Sequence, residues 1–305
     1  MRYYFAPMEG LTDSIYRRLH HEYFGGIDRY YMPFLSPTMH RTLTHKEERE
    51  LPMADSVGFT AVPQILTKVA DDFLWAAQIC AQRGYDEVNL NLGCPSGTVV
   101  SKGKGSGMLR DLDALDRFLD AIFTDSALPI TVKTRLGLEE AEAFPALLDI
   151  YNRYPIRELT IHPRVRKQFY EGSVDMEMFR YAAKNSKNTL CYNGDLRTKE
   201  DIAAIAAEFP DMQSVMIGRG LIADPGMLGS CNRKTLEAFH NALLEEYTVA
   251  FGGSRNALFR LKENWHFLIT RFENSEKLWK KLRKTTDIAE FRSITAEIFH
   301  TLEMK

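Results

Sequence analysis

The sequence predicts an α/β chain, a (β/α)8 TIM barrel followed by a smaller C-terminal helical domain. Three observations lead there: short apolar, β-prone runs recur along the chain, stretches of helical periodicity separate them, and the strand pattern stops near Gly229. At 305 residues the chain exceeds the roughly 250 that such a barrel commonly takes, which leaves room for an appendage. A doubly wound open sheet would carry fewer strands and a glycine fingerprint after the first, and none follows Ala6.

The first run, at 3–6, leads into a helix at 13–24 that opens on Asp13. The second, at 29–32, is followed by an irregular connection. The third, at 60–65, precedes a helix at 69–83, and the fourth, at 87–90, precedes one at 112–125. The fifth, 130–134, pairs with a helix at 139–154; the sixth, 158–162, with 176–187; the seventh, 189–193, with 199–209. The eighth lies at 214–217. Residues 1–234 are therefore assigned to the barrel and 235–305 to the helical domain, which a Phe251-Gly252-Gly253-Ser254 break divides. Within that domain 255–284 carries nine basic and three acidic side chains, interleaved with Phe259, Trp265, Phe267, Phe272 and Trp279. Two readings stand side by side: aromatics as bundle core with a solvated charged surface, or a basic face for nucleic acid.

Composition narrows the class. Hydrophobic residues at 45% and charged residues at 26% suit a globular chain with a sizeable core and exclude global disorder. No apolar run approaches the roughly 18 residues that span a bilayer, and the amino end lacks a secretory pattern, so a cytoplasmic protein without membrane contact is expected. Cys80, Cys94, Cys191 and Cys231 form no Cys-x-x-Cys pair, so neither a disulfide framework nor a metal site is expected. The net charge of −2 argues against a globally basic nucleic-acid binder but leaves room for a local patch.

In a parallel barrel the functional groups sit where strands end. Those ends carry Pro7-Met8-Glu9, Gln64, Asn91 to Pro95, Lys133 with Arg135, His162 with Arg164, Asn193-Gly194-Asp195 and Gly218-Arg219-Gly220. The glycine motifs after the seventh and eighth strands occupy the barrel's usual phosphate position, although either alone would be an ordinary tight turn. A cation at Lys133 could stabilise negative charge on a flavin ring, with Gln64 bonding its pyrimidine edge; a structural ion pair and a satisfied core amide are the competing accounts. Cys94 sits just past a strand, before a glycine-rich loop bearing Lys102 and Lys104. A thiol with a pKa of about 8.5 is mostly protonated at neutral pH and can serve as a general acid. The other three cysteines read as buried small hydrophobes. His162 is either a core histidine or a cofactor contact at the mouth.

Several segments, in order across the barrel, resemble the FMN-dependent tRNA-dihydrouridine synthase family. They are Ala6-Pro7-Met8-Glu9-Gly10-Leu11-Thr12-Asp13, Val88-Asn89-Leu90-Asn91-Leu92-Gly93-Cys94-Pro95, Val132-Lys133-Thr134-Arg135, Ile161-His162-Pro163-Arg164, Asn193-Gly194-Asp195 and Ile217-Gly218-Arg219-Gly220. The Cys94 segment through Ser106 is the most specific. The resemblance implies FMN reduced by NADPH, with NADH possible, hydride transfer from the flavin to C6 of a uridine in tRNA, and Cys94 protonating C5. It implies Pro7, Met8, Gln64, Lys133, His162, Asn193, Gly194, Asp195, Gly218 and Arg219 as flavin contacts. Asn91, Arg135 and Arg164 become substrate-side groups, joined by Lys102 and Lys104 from the basic loop, and residues 235–305 a tRNA-binding domain. A monomer with no obligatory protein partner is expected. The sequence departs from the family pattern at Ile65-Leu66-Thr67, where a glycine is frequent, and at Met176, where a tryptophan is; both bear on subfamily and target position.

Two other functions fit the same residues. A flavin barrel could reduce a free pyrimidine or enone, and a catalytically silent barrel could serve as an RNA-docking surface. Turnover of free substrate identifies the first, and a colourless purified protein the second.

Overall fold

A computed structural model describes residues 1–229 and 231–305. Its strand segments, among the described residues, are β1 (Arg2–Phe5), β2 (Arg29–Tyr31), β3 (Ala61–Val62), β4 (Gln64–Ile65), β5 (Val88–Leu92), β6 (Ile130–Arg135), β7 (Leu159–His162), β8 (Leu190–Tyr192) and β9 (Ser214–Ile217). All ladders are parallel, in the order β3-β2-β1-β9-β8-β7-β6-β5-β4. β3 and β4 are one extended run interrupted by Pro63, which has no N–H to give a ladder. Met32 N donates to Val62 O at 2.9 Å and Leu35 N to Gln64 O at 2.8 Å, while Asn89 N donates to Pro63 O at 2.8 Å. That run therefore pairs on both sides, and the nine segments close as an eight-stranded barrel.

The helices are α1 (Ser14–Tyr23), α2 (His45–Glu50), α3 (Ala70–Gln82), α4 (Gly97–Val100), α5 (Leu112–Asp125), α6 (Phe144–Tyr151), α7 (Met176–Asn185), α8 (Lys199–Glu208), α9 (Arg219–Ala223), α10 (Arg233–Ala250), α11 (Ser254–Leu268), α12 (Glu276–Leu282) and α13 (Ile288–Thr301). Asp13, Asp111 and Asp175 cap α1, α5 and α7 through backbone N–H groups, and Thr198 with Asp201 forms a capping box on α8. Two stretches of the helical layer differ from expectation. The irregular connection after β2 contains α2, whose Thr44 and Glu47 make a full capping box. The helix expected from 139 begins only at Phe144, because Glu140 is extended and Pro145 sets the first turn.

Inside the barrel Tyr4, Tyr31, Cys191 and Met216 pack as one buried cluster, so the axis is a packed core and not a pore. The outer faces of the strands share a continuous apolar core with the surrounding helices, and this core runs on into α10, α11 and α13. Phe239 of α10 meets Tyr16 of α1 edge-on at 5.4 Å, and Tyr247 donates to the Asp13 carboxylate at 3.1 Å. The aromatics of the basic segment divide: Trp265 and Phe272 are buried beside Phe299, whereas Phe259 is 70% exposed. No helix among the described residues is long and apolar enough to cross a membrane.

Candidate active site

Strand alternation brings polar residues to the barrel mouth. Along β6, Lys133 and Arg135 are two apart and face the same side; so do Asn89 and Asn91 on β5. Register then sets Asn91 beside Lys133 and Arg135 beside His162. The fourth strand runs past its expected end at 90 to include Asn91 and Leu92, because in a barrel interior a polar residue near the mouth does not end the strand.

These strand ends open on a cavity of about 690 Å³, within the range of about 300–1,000 Å³ for small-molecule sites. Pro7 and Met8 line it after β1, Gln64 from β4, and Asn91, Gly93 and Cys94 from β5 and the loop beyond. Lys133, Arg135 and His162 add to the wall, as do Asn193, Gly194, Asp195, Gly218 and Arg219. Three expected site residues are placed elsewhere. Lys102 and Lys104 line a neighbouring depression of about 710 Å³, where the Lys104 ammonium donates to Ser36 Oγ at 3.2 Å. Arg164 lies behind the wall, 1% exposed. It donates to Asp195 Oδ1 and to His162 Nε2, both at 3.1 Å, and to the carbonyls of Glu171 and Gly172.

The thiol loop is tightly held. Asn91 Oδ1 accepts from the N–H of Cys94, while the Cys94 carbonyl accepts from Ser106 Oγ at 2.8 Å and Ser106 N at 3.2 Å. Arg135 Nε donates to Gly93 O at 3.0 Å and Arg166 Nε to Pro95 O at 3.2 Å. Gly105, at φ +57°, passes so close that an added Cβ would stand 3.0 Å from Cys94 Cβ, so this position admits no side chain. Burial raises the Cys94 pKa above its ordinary value against the pull of Arg135 and Lys133, and the group is a thiol at neutral pH.

The other polar groups are tuned by burial as well. Lys133 has no hydrogen-bond or ion-pair partner among the described residues, and burial, then the charge on Arg135, lowers its ammonium to about 8. Burial holds His162 well below the usual imidazole range, with Arg135 and Lys133 adding to the effect. Since a guanidinium only donates, the 3.1 Å contact from Arg164 makes His162 Nε2 the acceptor and leaves the proton on Nδ1. Gln64 gives one N–H to Asn89 Oδ1 at 2.7 Å and takes one from Asn91 at 2.8 Å, which leaves one N–H and one lone pair for a ligand.

The loops after β8 and β9 form one continuous wall. Asn193 Nδ2 donates to Met216 O at 2.7 Å, and a Cβ on Gly220 would come within 2.2 Å of Leu196 O. Asp195, at φ +41°, accepts from Arg164 and from Arg219, whose guanidinium lies 2.8 Å away. Its carboxylate orients Arg219, and burial notwithstanding, those arginines hold its pKa below the ordinary value. An unpartnered ammonium, a neutral imidazole, unsatisfied amide valences and a terminal guanidinium around one cavity are a donor set that could hold a flavin, the cation and amides suiting an electron-rich ring and the guanidinium an anionic group.

Phe169 and Tyr170 also line the cavity and were not singled out by sequence. The Tyr170 ring stacks on His162 at 5.9 Å and lies beneath Arg219 at 4.7 Å and Arg135 at 5.3 Å. Phe169 has φ +51°, uncommon for a bulky side chain. Only the nearby Gly172 marks this turn in the sequence. His266 and Phe267 of α11 complete the rim from the helical region.

The sequence matches the protein family described as dihydrouridine synthase over residues 4–303. It is 27% identical to a probable tRNA-dihydrouridine synthase of Rhizobium leguminosarum bv. phaseoli, covering 98% of this chain and 94% of the relative. It is 28% identical to tRNA-dihydrouridine synthase B of Pasteurella multocida (strain Pm70), over 73% of this chain and 67% of that protein. Among solved structures, morphinone reductase superposes with a TM-score of 0.52 at 12% identity, covering 76% of this chain and 87% of its own; that likeness is one of fold.

Proposed function

The chain belongs to the dihydrouridine synthase family, and from that premise we propose that it reduces the C5–C6 double bond of particular uridines in tRNA. FMN is the bound cofactor, NADPH its reductant and Cys94 the proton donor. The observation that carries this reading is a protonated thiol on a pinned loop and an unpartnered ammonium lining one cavity.

FMN, when bound, supplies the hydride for C6. Cys94 holds the proton for C5, and its raised pKa keeps that proton in place at neutral pH. Lys133 would offset negative charge on the ring, Gln64 and the Nδ1–H of His162 would supply hydrogen bonds, and Arg219 would take the phosphate. Asn91 and Arg135 hold the backbone of the thiol loop and shape the side on which uracil enters. Arg164 acts through Asp195 and His162.

A uracil ring reaches this cavity only if the base is turned out of the RNA, which costs a few kcal/mol and least in a loop, so the D-loop is a suitable target. Lys102 and Lys104 beside the mouth, with the basic stretch 255–284 of the helical region, hold RNA phosphates. The protein is proposed to act as a cytoplasmic monomer.

The test compares dihydrouridine in tRNA from a deletion strain carrying either the wild-type gene or Cys94→Ala, alongside NADPH oxidation by the purified proteins. The variant should keep FMN and NADPH oxidation and lose product by about 10²–10⁴-fold, the usual contribution of a general acid. Full product formation removes Cys94 from the chemistry. Unchanged tRNA in the deletion strain, with turnover of a free enone, replaces the RNA reading with a small-molecule reductase.

A further inference from the structure

A groove of about 640 Å³ lies between α11 and α12. On α11, Arg255, Phe259, Lys262 and His266 follow at spacings of four, three and four and so share one face. Trp279 of α12 and Arg283, which caps that helix one turn on, form the opposite wall. Most aromatics of this basic segment are taken up by packing, but Phe259 leaves 70% of its surface in water. Folding gives that ring little shelter, so its place among cations has no packing explanation.

Among the described residues two other large apolar side chains, Val249 and Met39, are more exposed, and neither has a π-face. The groove adjoins the catalytic cavity, because His266 lines both, its ring 6.2 Å from that of Trp279. The charged residues that line the groove with Phe259 are Arg255, Lys262 and Arg283 against Glu263 alone. Lys262 also donates to the Thr285 carbonyl, next to the groove residue Thr286.

We propose, on the RNA reading above, that this groove is a second base-binding subsite. Phe259 stacks an unpaired nucleobase near the reacting uridine, and Arg255, Lys262 and Arg283 hold the adjoining phosphates. An aromatic face beside cations is how proteins bind single-stranded nucleic acid without reading its sequence. A second extruded base anchored there orients the strand so that one particular uridine enters the cavity, and the subsite thereby contributes to target position.

The test uses holoenzyme and a D-arm stem–loop with 2-aminopurine placed in turn at nucleotides flanking the target. Wild type should quench one of these probes, and Phe259→Ala should not. The variant's Kd for the RNA should rise about tenfold, the lower end of what stacking one base contributes, with kcat at saturation and NADPH oxidation unchanged. Phe259→Trp should restore quenching and affinity, and Phe259→Leu should restore neither. Equal quenching and affinity in Phe259→Ala, or full rescue by leucine, overturns the subsite while wild-type product formation upholds the RNA reading. If wild type converts no uridine in any RNA, both fall.

Discussion

The side-chain oxygen of Asn91 accepts the backbone N–H groups of both Gly93, at 3.1 Å, and Cys94, at 2.9 Å, while its amide nitrogen donates to Gln64 at 2.8 Å. One side chain thus links the thiol loop to Gln64 on β4, across the cavity wall. The loop is fixed before any substrate arrives, which is what a proton donor needs if it is to meet one carbon of a ring.

Replacing Asn91 tests that pin. Asn91→Ala should lower kcat by about 10²-fold, the scale of a 1 Å misplacement, while flavin content stays near wild type. Asn91→Asp can still accept both N–H groups but places a negative charge beside the thiol and loses the bond to Gln64. It should recover part of the rate of Asn91→Ala and no more. Single-turnover product formation with pre-reduced enzyme checks both, and an unchanged kcat in Asn91→Ala would show that the loop holds its shape without the pin.

Lys133 sets an alkaline limit. Burial lowers its ammonium to about 8, so the cation is present below that pH and is lost as pH rises through it. Burial shifts the Cys94 thiol the other way, upward and away from that limb. The pH profile of kcat/KM should therefore fall above about 8 in wild type, and Lys133→Met should be slower at pH 7 but flat from pH 7 to 9. A wild-type limb that persists in Lys133→Met would belong to another group.

Much of this arrangement was legible because barrels place function by rule. The alternating runs gave the strand ends, and the polar residues at those ends gave Lys133, Arg135 and His162 as groups of the mouth. Where the reading stopped short, the cause was tertiary. His162-Pro163-Arg164 looks like a mouth-facing pair, yet Arg164 turns back because the carbonyls of Glu171 and Gly172 and the Asp195 carboxylate offer it partners. Tyr170 enters the cavity from a turn whose course depends on those same bonds. The exposure of Phe259 was hidden in a run where Trp265 and Phe272 are core; helical periodicity gives a face, and only the neighbours decide whether it is covered.

The Arg164 and Asp195 pair should behave as a structural support of the flavin wall. Arg164→Ala would leave the Asp195 carboxylate with Arg219 alone and strand two backbone carbonyls. Removing one partner of a buried pair costs about 3–5 kcal/mol; the partial exposure of Asp195 places this case at the lower end. Arg164→Lys keeps the charge but cannot reach all four acceptors and should fall between. Urea midpoints and bound flavin should drop together in that order. A stable Arg164→Ala that still binds flavin but loses product would make Arg164 a substrate group after all.

Acid should unfold the protein through histidines far from the cavity. Burial lowers both His20 and His240 to about 3, against about 6.5 in an unfolded chain. The unfolded state binds more protons between those values, so the stability these groups contribute is present above about 6.5 and is lost progressively as pH falls toward 3. At pH 5 that amounts to about 2 kcal/mol for each histidine, since one pKa unit is worth about 1.4 kcal/mol. His240 sits among Trp265, Phe291 and Phe299 and accepts from Trp265 Nε1 at 3.2 Å. His240→Phe fills the same space and cannot be protonated. It should be less stable at pH 7, where the indole N–H loses its acceptor, and yet show a shallower fall in urea midpoint between pH 6.5 and 5. An acid slope equal to wild type would show that the folded and the unfolded chain take up the His240 proton alike.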